Sequence, residues 1–264
     1  MGRYDGYLLC TDFDGTFALP GAALSQENLD AVRYFQSEGG LFTIASGRTP
    51  EFIRDLTGPF EVNAPVIAMN GTMVLDEHDF SIIRDYPMSE ECLEVLDGIA
   101  GLGLCEQLTL WNAEDERNRW TKDGGDLPSA HYARHPQPWY KAVMVCSDEP
   151  SALAMRAWFN ERWTHCFSGS RSWPTGFEVQ DAHAGKGEAM NWIREYLGEK
   201  VRLTVGAGDF ENDISLIRAA DIGYAVGNAI PEVKAAADRV TVPNTGHAIA
   251  AIIEELGRQY ISGY

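Results

Sequence analysis

Residues 8–20 read LLCTDFDGTFALP, an apolar run that gives way to two carboxylates, Asp12 and Asp14, and then to Gly15. A run of this length suits one buried strand, whose successive side chains leave on opposite faces. Placing two like charges at the mouth of a core is costly unless something compensates them. The stretch therefore points to a site at the carboxyl end of a strand.

Working outward, the rhythm continues. Ser25 is placed to cap a helix with Leu29, Val32 and Phe35 on one face, closing near Gly39-Gly40. A second apolar run covers 41–45 and ends in Ser46-Gly47-Arg48. Thr49 followed by Pro50 marks the next helix start, and a third apolar run covers 65–69. Strands separated by helices pair in parallel through right-handed crossovers. Asn70-Gly71 is a hairpin signal, and another strand-like run covers 81–86.

From about 83 to 183 the alternation loosens into a stretch rich in Trp and charge. It predicts a helix over 89–99, an irregular segment over 112–138, a strand over 142–146 and a helix over 151–163. The first pattern then resumes, with helices at 187–197, 212–219, 231–237 and about 247–259, and strands at 202–206, 222–226 and 240–242. In the last helix Ile249, Ile252, Ile253 and Leu256 share the inward face. The expected fold is α/β: a Rossmann-like, doubly wound parallel sheet core built from 1–82 and 184–264, with an α/β cap domain inserted at 83–183.

Bulk properties narrow the function. With 21 Lys and Arg against 39 Asp and Glu, the net charge is −18, which disfavours nucleic-acid partners because a phosphate backbone needs a basic surface. No run approaches a membrane span, and the first residues, MGRYDGY, do not read as a secretory signal. Gly6 in place of Ser or Thr argues against N-myristoylation. The cysteines at 10, 92, 105, 146 and 166 are scattered and lack CxxC spacing, so they read as reduced thiols of a cytoplasmic protein. An acidic chain of this kind binds an anionic small molecule only where metal, lysine and helix N-termini reverse the local field.

Ligands of open parallel sheets bind at the carboxyl ends of the strands. Four segments deliver polar residues there: Asp12 and Asp14, Ser46-Gly47-Arg48, Lys186 at a helix start, and Asp209 in VGAGDFENDISLI. Taken together, DFDGT at 12–16, ASGR at 45–48, the lysine of GKGEAM at 185–190 and GDFEND at 208–213 resemble the haloacid dehalogenase superfamily. The long insertion between the second and third motifs resembles its Cof-type branch, which carries a large α/β cap.

The resemblance implies a Mg²⁺-dependent phosphatase that hydrolyses a small phosphorylated metabolite, a sugar phosphate being the modest expectation. It implies Asp12 as the nucleophile that becomes an aspartyl-phosphate, and Asp14 as general acid and then base. Ser46 and Lys186 would bind phosphoryl oxygens and neutralise charge. The metal would be held by Asp12, the backbone carbonyl of Asp14 and Asp209. Asp213 and Asn212 would orient the metal shell or Lys186 from behind, with Gly47, Arg48 and Asn212 near the substrate. Arg48 reads equally as a surface ion pair, and Asn70-Gly71 as a plain turn or a substrate contact.

In the insertion, Trp111, Trp120, Trp139, Trp158, Trp163 and Trp173 with Arg117, Arg119, Arg134 and His131 could grip a sugar or a second anion, or simply pack the cap. A phosphomutase of the phosphomannomutase type is the main alternative, disfavoured because the cap arginines are few and dispersed. A receiver-like phospho-Asp module is more remote, since the insertion and Asp14 both argue against it. The sequence carries no signal for oligomeric state.

Overall fold

The structure, a computed structural model, describes residues 2–112, 118–135 and 137–262. The chain begins β1 (Tyr7–Thr11), α1 (Gln26–Ser37), β2 (Leu41–Ile44), α2 (Pro50–Leu56), β3 (Val66–Ala68), β4 (Met73–Leu75) and β5 (Ile82–Asp85). It continues through α3 (Cys92–Gly101), β6 (Cys105–Trp111), β7 (Arg119–Thr121), α4 (Pro128–Tyr132), β8 (Lys141–Cys146), α5 (Glu149–Asn160), β9 (Phe167–Ser170) and β10 (Gly176–Asp181). Last come α6 (Lys186–Leu197), β11 (Leu203–Gly208), α7 (Ile214–Ala219), β12 (Ile222–Ala225), α8 (Pro231–Ala236), β13 (Arg239–Val240) and α9 (Ala248–Ser262). Two compact units result, one made of Met1–Arg84 with Lys186–Tyr264, the other of Asp85–Gly185.

In the first unit the sheet order is β13-β12-β11-β1-β2, and every neighbouring pair is parallel. A parallel bridge from Ala45 to Ile67 leads on to the β3-β4-β5 sheet, in which β3 and β4 form the antiparallel hairpin that Asn70-Gly71 signalled. Because strand side chains alternate, β1 buries both of its faces. Leu8 and Cys10 pack with Ala189, Met190 and Ile193 of α6 and Leu216 of α7. On the other face Leu9 lies in register with Phe42, against which the rings of Phe17 and Phe60 pack at 5.4 and 6.2 Å.

The helices behind that second face are tied by polar groups. Asn28 in α1 donates to the Phe17 carbonyl and accepts from Ala250 N–H in α9. Ser25 caps α1 by accepting from Asn28 N–H, whereas Thr49 holds the N-cap position of α2 without a side-chain bond. Gly187 is a packing requirement: an added Cβ would lie 2.3 Å from the Ser215 carbonyl oxygen, so only glycine lets α6 run this close to the segment that opens α7. The fold is thus the expected doubly wound α/β sheet.

The second unit is a five-stranded sheet, β7-β6-β8-β10-β9, antiparallel at each of its neighbouring pairs. One face packs on α3 and α5 through Val95, Leu96, Ile99, Met155 and Phe159. Three of these strands, β6, β9 and β10, lie outside the sequence expectations, and β7 and α4 replace part of the irregular segment expected over 112–138. The physical reason is the face away from the helices. It carries polar residues, among them a buried Lys141–Glu178 ion pair at 2.9 Å, which break up the apolar runs that mark strands in a sequence.

Most of the tryptophans serve this unit's own core. Trp120 and Trp139 are part of it, and Trp158 and Trp163 pack against it. Tyr132 is buried at its centre, where its hydroxyl accepts from the N–H groups of Leu110 and Trp120. Arg119 and Arg134 are exposed and His131 is half-buried, while Arg117 lies outside the described residues. All five cysteines are free thiols. Burial pushes Cys10 and Cys92 up to about 12 and Cys146 up to about 11, which leaves these thiols unreactive. Among the described residues no helix is long and apolar enough to cross a membrane.

Candidate active site

The chain beyond β1 explains how two acids come to stand at a strand tip. Asp12 N–H donates to the Ala207 carbonyl at 2.8 Å, which continues the β1–β11 ladder by one residue. Phe13 and Phe17 are fully buried and anchor the loop, with Ala18 N–H closing onto the Phe13 carbonyl at 2.8 Å. Gly15 adopts φ +84°, and its carbonyl accepts from Asn228 Nδ2 at 2.9 Å. The loop is therefore fixed by hydrophobic anchors, and the carboxylates are what it presents.

Lys186, the first residue of α6, is 0% exposed and lies between two of the acids. Its Nζ donates to Asp12 Oδ1 at 2.7 Å and to Asp213 Oδ1 at 2.6 Å. The other oxygen of Asp213 accepts the N–H groups of Asp209 and Phe210 at 2.9 and 3.1 Å, so both of its oxygens are engaged. Asp209 Oδ1 accepts from the Thr16 hydroxyl at 3.0 Å. What is left over is Asp12 Oδ2, a buried carboxylate oxygen with no hydrogen-bond partner among the described residues.

Electrostatics follow from this crowding. Burial, and then the nearby Asp213 charge, push the Asp12 carboxyl well above its usual range, with Lys186 pulling the other way. The same two causes, burial first, push Asp209 up to about 7. Burial works against the Lys186 charge, but the two carboxylates outweigh it and hold the ammonium protonated. Three carboxylates surround a single cation, which leaves uncompensated negative charge.

One oxygen each from Asp12, Asp209 and Asp213 lie within 4.8 Å of one another. Hard oxygen donors gathered this closely, with more carboxylates than ammonium groups beside them, are what a divalent cation requires, so these residues fit one. Gly15 keeps the place open, since an added Cβ would lie 2.6 Å from Asp209 Oδ2. Gly15→Ala should cost about 1–2 kcal/mol, because an L side chain is strained at this positive φ. It should also weaken divalent-metal binding by displacing Asp209; thermal melts and a metal titration check both.

The second group of residues stands at the end of β2. Ser46 is 1% exposed; its N–H donates to the Ile67 carbonyl at 2.9 Å and its hydroxyl accepts from Arg48 N–H at 3.2 Å. Gly47 lies against Asn70, whose Oδ1 would be 2.9 Å from an added Cβ. Asn70 also donates its N–H to the Ser46 carbonyl at 2.9 Å and accepts from Asn212 Nδ2 at 3.1 Å. Asn70 is thus more than a turn residue, tying the Ser46-Gly47 loop to the GDFEND loop. Its backbone sits at φ 60°, a conformation Asn tolerates better than most residues, and the NG pair was the only sequence sign of it.

The expected residues therefore divide. Asp12, Lys186, Asp209 and Asp213 form one cluster, and Ser46, Gly47 and Asn212 join through Asn70. Asp213 touches Lys186 directly and belongs to the carboxylate triad. Asp14 and Arg48 are paired with each other at a partly exposed position, and Arg48 N–H donates to Ser46 Oγ in the second group.

The chain is similar to known proteins over most of its length. The family description of haloacid dehalogenase-like hydrolases matches residues 9–253. The chain is 24% identical to the 5-amino-6-(5-phospho-D-ribitylamino)uracil phosphatase YcsE of Bacillus subtilis, over 93% of this chain and 94% of that one. It is 26% identical to the pyridoxal phosphate phosphatase YbhA of Escherichia coli, over 93% and 97% respectively. The solved structure of a haloacid dehalogenase-like hydrolase from B. subtilis superposes with a TM-score of 0.78 at 20% identity, covering 94% of this chain and 99% of that one. With four motifs gathered at one end of a parallel sheet and a match over nearly its whole length, the chain belongs to the haloacid dehalogenase-like hydrolase family, among its Cof-type phosphatases.

Proposed function

We propose that this protein is a cytoplasmic, Mg²⁺-dependent phosphatase acting on a small phosphorylated metabolite through an aspartyl-phosphate on Asp12. The observation that carries the reading is the asymmetry of Asp12. One oxygen is pinned by Lys186 at 2.7 Å, while the other is buried, desolvated and unpartnered. A carboxylate held this way keeps a single oxygen positioned to attack a phosphorus atom.

Oδ2 of Asp12 attacks phosphorus as the bond to the leaving oxygen breaks, and Asp14 gives that oxygen its proton. Water then attacks the phosphorus of the aspartyl-phosphate, Asp14 takes the water's proton, and the bond to Asp12 breaks to release phosphate. The Ser46 hydroxyl and the Lys186 ammonium oppose charge on the phosphoryl oxygens. Asn70, Gly47 and Asn212 hold the Ser46 loop in place. Asp12 and Asp209, with the Asp14 carbonyl, would hold Mg²⁺, and Asp213 would steady Asp209 and Lys186. When bound, such a cation supplies charge neutralisation for phosphate held among carboxylates.

The Asp85–Gly185 unit is read as the cap that selects the leaving group. Its identity follows the relatives, whose names point to phosphate monoesters of small metabolites, the ribityl phosphate among them. Those relatives are named phosphatases, which favours hydrolysis over the mutase alternative. Free thiols fit a reducing compartment.

The test is a panel of phosphorylated metabolites offered to purified protein with Mg²⁺, reading released phosphate. At least one ester should be hydrolysed, EDTA should stop it, and Mg²⁺ should restore it. Release of phosphate from none of them, or rates indifferent to EDTA, would sink the reading.

A pH effect follows from Asp209. Its carboxyl is raised from 3.8 to about 7 in the fold, so the native state holds a proton there that the unfolded chain has lost. In EDTA, stability should therefore fall as pH rises from about 4 through about 7. Mg²⁺ binds the deprotonated form, so its stabilising effect should grow over the same interval. Melts at several pH values, with and without Mg²⁺, check both signs.

A further inference from the structure

Asp14 and Arg48 make the one contact among these residues that phosphate binding does not explain. Arg48 Nε donates to Asp14 Oδ2 at 2.7 Å, and its Nη2 donates to Asp14 Oδ1 at 2.8 Å. One planar guanidinium thus holds both oxygens of the carboxyl and fixes the plane in which it lies. Each oxygen still has a lone-pair direction pointing away from the fork, so a proton can be carried there.

The fork is itself held. Its central carbon lies 4.0 Å from the centre of the Phe52 ring. The Arg48 main chain is tied on both sides, donating to Ser46 Oγ at 3.2 Å and accepting from Met69 N–H at 3.0 Å. Asp14, in contrast, stands on a loop next to left-handed Gly15 with 48% of its side chain exposed. An ion pair this exposed adds little to stability, so holding the fold together does not account for its two-point geometry. A proton donor, however, must meet its acceptor within hydrogen-bond reach, and an exposed aspartate left to itself samples several rotamers.

On the reading of Asp14 as the proton donor and acceptor given above, we infer that Arg48 is a positioning residue for proton transfer, aiming the Asp14 carboxyl at the leaving oxygen. The phosphoryl group is not its main partner. The dependence on leaving group exposes the difference. An alkoxide must receive a proton as the P–O bond breaks, whereas p-nitrophenolate departs without one.

The experiment uses the full chain with Mg²⁺ and measures formation of phospho-Asp12 in single turnovers from two probes, glycerol 2-phosphate and p-nitrophenyl phosphate. Arg48→Ala should slow the glycerol ester at least about tenfold more than the nitrophenyl ester. Arg48→Lys keeps the charge but loses the fork, and should show the same selective loss. In an Asp14→Asn background, Arg48→Ala should add nothing further for the glycerol ester.

Equal losses with both esters, recovery of the glycerol ester by Lys, or additivity with Asp14→Asn would each overturn the inference, pointing to a grip on the phosphoryl group or to a general disturbance of the site. A wild-type chain that forms no phospho-Asp12 from either ester is a different result: the phosphatase reading then fails, and this inference falls with it.

Discussion

Replacing Asp12 by Asn should cut phosphate release by about 10⁴-fold or more, the scale on which removing an enzyme's nucleophile acts, while leaving the chain folded. The amide keeps the size of the carboxyl and can still accept from Lys186, which retains Asp213 at 2.6 Å. What it loses is the anionic Oδ2, the unpartnered oxygen assigned to phosphorus. The electrostatics add a second expectation. Burial and the Asp213 charge penalise ionised Asp12, so removing that charge relieves the metal-free protein. In EDTA the variant should melt no lower than wild type, and Mg²⁺ should raise its melting point less. Phosphate release near the wild-type rate would remove Asp12 from its role; a collapsed melting curve would show that the carboxylate is chiefly structural.

Lys186→Met should have the largest effect on stability, because it takes the ammonium from between two buried carboxylates, both within 2.7 Å of its Nζ. Breaking a buried ion pair by deleting one partner typically costs about 3–5 kcal/mol, since the charge left behind is desolvated and unpaired. The sign with pH is fixed by Asp12, already raised by burial and now without its opposing ammonium. The loss should be greatest at neutral pH and shrink as pH falls and the carboxyl takes up a proton. Mg²⁺ should recover part of it. Urea unfolding at pH 5 and pH 8, with and without Mg²⁺, measures all three; a deficit independent of pH would contradict the charge argument. Activity should be lost at either pH, because Asp12 is then no longer held by one oxygen.

The first unit was legible because its physics is repetitive. Strands such as Tyr7–Thr11 and Leu203–Gly208 are buried on both faces, so they read as unbroken apolar runs, and polar residues at their ends stand out against them. The close approaches that require glycine at positions 15 and 187 show only in the structure. The second unit was less legible because an antiparallel sheet with one polar face hides its strands. In Gly176–Asp181, Phe177 and Val179 enter the core while Glu178 and Gln180 occupy the other side, and the segment reads as neither loop nor strand.

Within the site, polar residues at strand ends and the motifs around them pointed to Asp12 and Asp209, but a lone lysine in a sequence says nothing about its burial. That Lys186 is wholly enclosed follows only from the packing of α6 against β1. Asn70 reads in the sequence as a turn or a substrate contact, and its tie between two loops is hidden for a related reason. Its job depends on Ser46 and Asn212, which only the tertiary fold brings to it. Arg48, open to two readings in the sequence, is paired in the structure with a carboxylate 34 positions away.

The register of β1 has a consequence for biosynthesis. Tyr7 pairs with Leu203 on one side, and Leu8 with Leu41 on the other. A ribosome delivers β2 early but β11 only after most of the chain has emerged, so one edge of this buried central strand waits open through much of translation. Such an edge invites pairing with other chains, and closing a loop this long makes the last step slow. Nascent chains halted before Leu203 should accordingly aggregate or be captured by chaperones, whereas full-length chains, once β11 docks, should be released.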